Sequence, residues 1–297
     1  MLAEMAAFRM ANYESAFDLV ICTRPPAHII RHPRKVLWFI HHERIFYDLW
    51  DSEYNPIPHS ERGIALRNAI RTADNVGICE AQAIFANSRI VADRLRDFNR
   101  VEAEVLYPPI SDDFRPKSVV YGDELLFNCR IADHKRQHLA IEAMSHSRTP
   151  VRLRIAGCAH SSEYFSQLRR QIKALKLDDR VTLDNRWISE GEKCHLLTHA
   201  LASVYIPFDE DSYGYPTLEA AHAQRATIST IDAGGVGEFI RHGKNGLLCA
   251  PEAASLGEAF DRLWQDRTYA RTLGEAADAT VTKMKIDWQR VVERLTA

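Results

Sequence analysis

Arg130 and Lys135 stand five residues apart where an apolar run, ELLFNC at 124–129, gives way to a helical pattern. Two cations at the carboxyl end of a strand, beside a helix N-terminus, suit a phosphate or diphosphate. The same pair would also serve as plain solvated loop charges. The segment 208–221, FDEDSYGYPTLEAA, sets Asp211 eight residues before Glu219. Gly214 allows backbone to approach a ligand closely, and Pro216 fits the first turn of a helix. Glu219 then either complements the helix macrodipole or accepts hydrogen bonds from sugar hydroxyls. Asp209 and Asp211 form an Asp-x-Asp that could hold a divalent metal on a diphosphate, a pattern that loops also produce by chance.

Three weaker signals accompany these. Gly234 and Gly235 follow the run ATIST, where glycines either offer backbone N–H groups to an anion or make a tight connection. His41 and His42 end the run KVLWFIH, as substrate-polarising groups or as structural residues. His195 and His199 are four apart on one predicted helix, the spacing of metal ligands, with no evident third ligand. No metal site is expected.

Short apolar runs alternating with amphipathic stretches position these residues, the signature of a doubly wound α/β architecture. AFDLVIC, KVLWFIH, AIFANS and AEVLYPP read as strands, with helices over 60–73 and 89–98 and a further helix over 2–13. Pro108-Pro109, the polar run from Ser111 and Pro116 break regular structure and mark a boundary. Six more strands follow: ELLFNC, VRLRIAG, RVTLD, ASVYI, ATIST and GLLC, mostly unbroken apolar runs as strands buried on both faces require. Helices are predicted over 134–145, 163–175, 190–200, 217–224 and 236–241, and the tail beyond 253 reads as helix. Ser189 with Glu192 is a capping-box start. The expected domains are 1–115, 116–280 and a final helical segment, 281–297.

The 297 residues carry 38 Lys+Arg against 40 Asp+Glu, a formal charge of −2, which gives no footprint for a nucleic-acid partner. No apolar run approaches the ~20 residues of a membrane span, and no signal-peptide layout opens the chain. Six scattered cysteines without a C-x-x-C fit a reducing compartment, so the expected location is cytoplasmic. The stretch from Arg24 to Arg44 mixes cations and aromatics, as a peripheral contact at the inner membrane face or as strand core with a solvated rim.

The order of these motifs resembles the retaining glycosyltransferases of family 4, whose GT-B architecture has two facing Rossmann-like domains. FANSRIVADRL, VLYPPI, LLFNCRIADHKRQHLAIEA, VRLRIAG, DSYGYPTLEA and IDAGGVGEFIRHGKNGLLC follow in the family's order, over most of residues 83–297. Trp288 resembles the start of the helix that crosses back to the first domain. The resemblance implies a nucleotide-diphosphate sugar donor, a glycan or lipid-linked acceptor, a part in polysaccharide biosynthesis, retention of anomeric configuration and no cofactor. It implies donor contacts at Arg130, Lys135, Gly214, Tyr215, Glu219, Gly234 and Gly235. It implies catalytic roles for Asp211, near the transferred sugar, and for the strand-end His41. Cys129 replaces the family's usual Gly and Asp211 its usual Glu. The first domain has room for about four strands, which implies a shortening at its N-terminus. A sugar-nucleotide epimerase and a non-catalytic sugar-nucleotide-binding subunit are the competing readings.

Overall fold

The computed structural model describes every residue except 53, 54, 112, 113, 115 and 117–119. The chain divides into two compact units, one formed by Met1–Pro108 with Asp287–Ala297, the other by Pro109–Ile286. The expected boundary at 115 falls on Arg115, outside the described residues. The observed division comes earlier, between Pro108 and Pro109.

In the first unit, α1 (Leu2–Met10), β1 (Val20–Cys22), β2 (Lys35–Phe39), α2 (Glu61–Cys79), β3 (Ala83–Ala86), α3 (Arg89–Asn99) and β4 (Glu104–Val105) follow in order. The strands form one parallel sheet in the order β1-β2-β3-β4. Helix α1 stops three residues short of the predicted Tyr13, and α2 runs six residues past the predicted Ala73, burying Gly77 and Ile78. Ser88 starts α3 by accepting a hydrogen bond from the Val91 N–H, and Val91 and Leu95 then turn onto Leu37, Phe39 and Ala86. The other sheet face is covered by the chain's last helix, whose Val291 and Leu295 meet Val36, Trp38, Phe85 and Leu106.

Three buried polar groups of this core carry most of its hydrogen bonds, while His28 Nδ1, His42 Nδ1 and Asn87 Oδ1 have no partner among the described residues. Lys35 is fully buried and donates to the carbonyls of His28, Ile30 and Gly77 at 2.7–3.0 Å, with Glu80 at 3.3 Å. Asp74 accepts from Tyr47 at 2.6 Å and bonds His28 at 2.8 Å. His42 is 2% exposed among Phe39, Tyr47 and Phe98, and its Nε2 meets Asn99 Oδ1 at 2.7 Å. His42 is therefore a core residue.

The second unit comprises β5 (Glu124–Asn128), α4 (Gln137–His146), β6 (Arg152–Ala156), α5 (Ser162–Ala174), β7 (Val181–Asp184), α6 (Glu190–His199), β8 (Ala202–Val204), α7 (Tyr215–His222), β9 (Thr227–Thr230), α8 (Val236–Phe239), β10 (Gly246–Cys249), α9 (Ala253–Gln265) and α10 (Arg267–Met284). The chain closes with α11 (Trp288–Thr296), which belongs to the first unit. The second sheet is parallel throughout, in the order β10-β9-β8-β5-β6-β7. Strand β5 is apolar and buried on both faces, Leu125 and Phe127 on one and Leu126 on the other, whereas β6 buries Leu153 and Ile155 on one face and sets Arg154 on the other, bonded to Glu124. The helix predicted from His134 splits into a single 3-10 turn, Asp133–Lys135, and α4, because Arg136 between them takes the left-handed conformation with φ +58°.

Burial holds the His42 imidazole neutral, pushing its pKa down to about 4 despite the bond to Asn99. The unfolded chain protonates His42 near 6.5, so the native state keeps full stability above that value and loses it as pH falls toward 4. The expected loss is about 3 kcal/mol. Urea unfolding at pH 8 and pH 4 checks this, and His42→Gln should flatten the difference between the two.

Candidate functional site

In the second sheet the strand order reverses between β5 and β8, so successive connections leave to opposite sides and a crevice opens at the carboxyl ends of those two strands. Arg130 follows β5 into this crevice. Its guanidinium is exposed and makes no hydrogen bond or ion pair with any described residue. Lys135 behaves differently. It is 8% exposed, its ammonium donates to the Tyr205 hydroxyl at 3.0 Å, and it pairs closely with the Glu210 carboxylate. Tyr205 in turn donates to Glu210 at 2.9 Å. Burial works to raise the Glu210 pKa, but Lys135 and the Tyr205 hydroxyl outweigh it and hold the carboxyl below its ordinary value. Burial, with Glu210 beside it, keeps the Tyr205 phenol well above its own.

Arg136 fixes the frame around this triad. It donates to the carbonyls of Ile206 and Pro207, to Thr230 Oγ1 and to both oxygens of Asp232, all at 2.7–2.8 Å. One side chain thereby ties the start of α4 to the ends of β8 and β9. The glycines make the next layer possible. Gly214 has φ +72°, and a Cβ there would run into the Tyr205 ring. Gly234 has φ +64° and lies against the backbone of Asp209 and Glu210; Gly235 lies against Ser212. The Gly235 N–H donates to the Glu210 carbonyl at 2.9 Å. These glycines are required by close packing of two loops.

Beside the crevice lies a cleft of about 520 Å³, lined by Asn128, Cys129, Arg130, Gly157, Cys158, Arg186, Trp187, Ile188, Glu190, Lys193, Tyr215, Pro216 and Glu219, with Ile110 and Ser111. Trp187 presents its indole 78% exposed at the rim. Its neighbour Arg186 is anchored at 2.9 Å to Asp184 and at 2.8 Å to Glu192. Ser189 caps α6 as the sequence predicts, but the Glu192 side chain goes to Arg186 in place of closing a capping box. Glu219, 6% exposed in α7, accepts at Oε1 from Lys193 at 2.7 Å. Its Oε2 has no hydrogen-bond partner among the described residues. Burial raises the Glu219 pKa, and Lys193 pulls against that rise.

The cleft thus offers an unpaired cation, a carboxylate oxygen free to accept from hydroxyls, and an exposed aromatic face. Of the residues singled out in the sequence, Arg130, Tyr215 and Glu219 line it. Lys135 lies buried against Glu210, so it is a paired cation where the sequence suggested a free one. Gly214, Gly234 and Gly235 shape the neighbouring loops without lining the cleft. Asp211 is half-buried and also does not line it; Glu210, one position earlier, is the acid that reaches Lys135. His41 belongs to the first unit, two residues past the end of β2, with Nδ1 2.7 Å from the His42 carbonyl. Lys193, Glu210, Arg136 and Trp187 are the residues sequence reading missed. A Lys three residues after Glu190 on a helix signals only a local pair. Among the described residues no group of three or more His, Cys, Asp or Glu is placed to hold a metal ion. His195 and His199 stack at 4.2 Å, with His199 Nδ1 2.8 Å from the His195 carbonyl. Among the described residues no helix is long and apolar enough to cross a membrane.

A family model described as glycosyl transferases group 1 matches residues 112–280. The chain is 25% identical over 325 residues to the human alpha-1,3/1,6-mannosyltransferase ALG2, covering 98% of this chain and 75% of that protein. It superimposes on Anabaena HepE, solved in complex with UDP and glucose, with a TM-score of 0.67 at 21% identity, covering 88% of this chain and 72% of that one. Sucrose-phosphate synthase from Thermosynechococcus elongatus gives a TM-score of 0.76 at 16% identity over 99% of this chain and 75% of that one. These structural likenesses carry the fold, two parallel-sheet units of the GT-B type.

The Lys135–Glu210 pair predicts a non-additive pattern. Lys135→Met alone leaves the part-buried Glu210 carboxylate with Tyr205 as its one described partner and should cost about 2 kcal/mol, whereas Lys135→Met with Glu210→Gln should recover a large part of that loss. Urea unfolding of the two single variants and the double variant reads the coupling.

Proposed function

The chain belongs to the glycosyl transferases group 1 family, and from that premise we propose that it moves a sugar from a nucleotide-diphosphate donor to a glycan or lipid-linked acceptor with retention of configuration. The observation that carries the donor half of this reading is the cleft of the second unit. There an unpaired Arg130 and the open oxygen of Glu219 line one hollow at the strand-order reversal. Arg130 takes the diphosphate, Glu219 accepts from the ribose hydroxyls, and the exposed Trp187 offers a face to the base. Lys135, its charge matched by Glu210 and its ammonium bonded to Tyr205, frames the crevice beside this hollow.

Transfer then relies on holding the donor and stabilising the departing diphosphate by fixed positive charge. Asp211 acts near the transferred sugar, and His41 on the acceptor side, by the correspondence the sequence motifs set up. UDP-sugar complexes of structural neighbours such as HepE support a nucleotide-sugar donor. The reaction needs no metal, with Arg130 supplying the positive charge at the diphosphate. The setting is cytoplasmic polysaccharide or glycolipid assembly, with a peripheral contact at the membrane face where the acceptor is lipid-linked.

A thermal-shift screen across nucleotide-sugars should show a rise in melting temperature with one donor class, because a ligand of the native state stabilises it. Arg130→Ala should weaken that binding by roughly 1–3 kcal/mol while leaving the unliganded melting temperature unchanged. Transfer in the presence of EDTA should equal transfer with added Mn²⁺. An epimerised nucleotide-sugar formed without acceptor would point instead to an epimerase.

A further inference from the structure

Glu219 is not alone in the donor cleft. Lys193, from the first turn of α6, reaches across to it and spans two carboxylates, Glu219 Oε1 and Glu190 Oε1, each at 2.7 Å. The two acids differ in setting: the Glu219 side chain is 8% exposed and that of Glu190 48%. The ammonium therefore acts on Glu219 where solvent screening is weak and on Glu190 where it is strong. All three residues line the cleft that also contains Arg130.

The geometry points to Lys193 as a positioning residue for the donor's ribose: by clamping one oxygen of Glu219 it keeps that carboxylate ionised and turns the other oxygen to the sugar hydroxyls. This rests on the nucleotide-sugar reading of the cleft. A carboxylate is an acceptor at both oxygens, whereas a protonated carboxyl has one oxygen committed as a donor. A buried acid without Lys193 would take up a proton more readily, since burial already raises its pKa. The charged groups around Glu219 are Lys193 and Glu190 from α6, Tyr215 from its own helix, and Arg130 and Arg186 from the loops that follow β5 and β7. Of these, Lys193 alone bonds Glu219. The Lys193 charge is itself secured: burial opposes it, but the two carboxylates outweigh burial and hold its pKa above the ordinary value.

The consequence is a pH-dependent preference for ribose. Ionised Glu219 distinguishes a ribonucleotide from its 2′-deoxy counterpart, so the preference is full above the Glu219 pKa and fades as pH falls through it. Removing Lys193 moves that fading to higher pH.

The test is calorimetry on the full chain between pH 5 and 9. The probes are whichever of UDP, GDP and ADP binds the wild type most tightly, and its 2′-deoxy form. Lys193→Met should weaken the ribonucleotide up to roughly tenfold at the acid end of that range while leaving the deoxynucleotide within about twofold. Its ribose preference should recover at higher pH. Lys193→Arg should restore the wild-type profile, and Glu219→Gln should abolish both the preference and its pH dependence. Adding Lys193→Met to Glu219→Gln should change nothing further. If Lys193→Met fails to fold, the Glu219→Gln and Lys193→Arg profiles decide alone: a wild-type-like profile in Glu219→Gln overturns the proposal. Equal weakening of both nucleotides with an unshifted pH profile also overturns it, by showing a bulk electrostatic or structural role. A wild-type chain that binds none of the three nucleotides overturns the donor reading itself, and this inference with it.

Discussion

The second unit depends on one topological constraint, the reversal of strand order between β5 and β8. Parallel strands joined by right-handed crossovers leave a gap only where connections depart to opposite sides. Backbone ends are short of hydrogen-bond partners at that gap, and the molecule spends Arg136 on them. Its five hydrogen bonds join the start of α4 to the ends of β8 and β9. The left-handed backbone at Arg136 is the local cost, offset by this charge-assisted network.

Given that frame, the polar groups divide by burial. Cations set deep, Lys135 and Lys193, are each matched to a carboxylate, because an unpaired buried charge would destabilise the fold by several kcal/mol. Arg130, at the surface, is left unmatched among the described residues. That difference separates residues that maintain the crevice from one available to an anionic ligand. The first unit obeys the same rule: Lys35 is satisfied by three carbonyls and Glu80, and Glu80 by Arg9.

Much of this was legible in the residues. Unbroken apolar runs such as ELLFNC and ATIST announce strands covered on both faces, and Ser88 and Ser189 announce helix starts, because those signals are local. The spacing of Arg130 and Glu219 from their strands and turns placed both in the cleft. Pairings across the fold were not legible. Lys193 meets Glu219 twenty-six residues away, and nothing on α6 alone distinguishes that contact from a surface pair. Counting back eight residues from Glu219 selects Asp211. That count says nothing of its neighbour: Asp209 turns with φ +43°, Glu210 bridges to Gly234, and the Glu210 side chain reaches Lys135. Arg136 was hidden for a similar reason, as one more cation beside Lys135 until the left-handed turn set it apart.

The central claim is that the cleft between Arg130 and Glu219 holds a nucleoside diphosphate. The most direct measurement is a crystal structure of the full chain with UDP-glucose or GDP-mannose. The account predicts diphosphate oxygens within hydrogen-bond distance of the Arg130 guanidinium and ribose hydroxyls on Glu219 Oε2. A nucleotide seated elsewhere, for example in the separate hollow lined by His146, Arg148, Glu258 and Asp261, would contradict it.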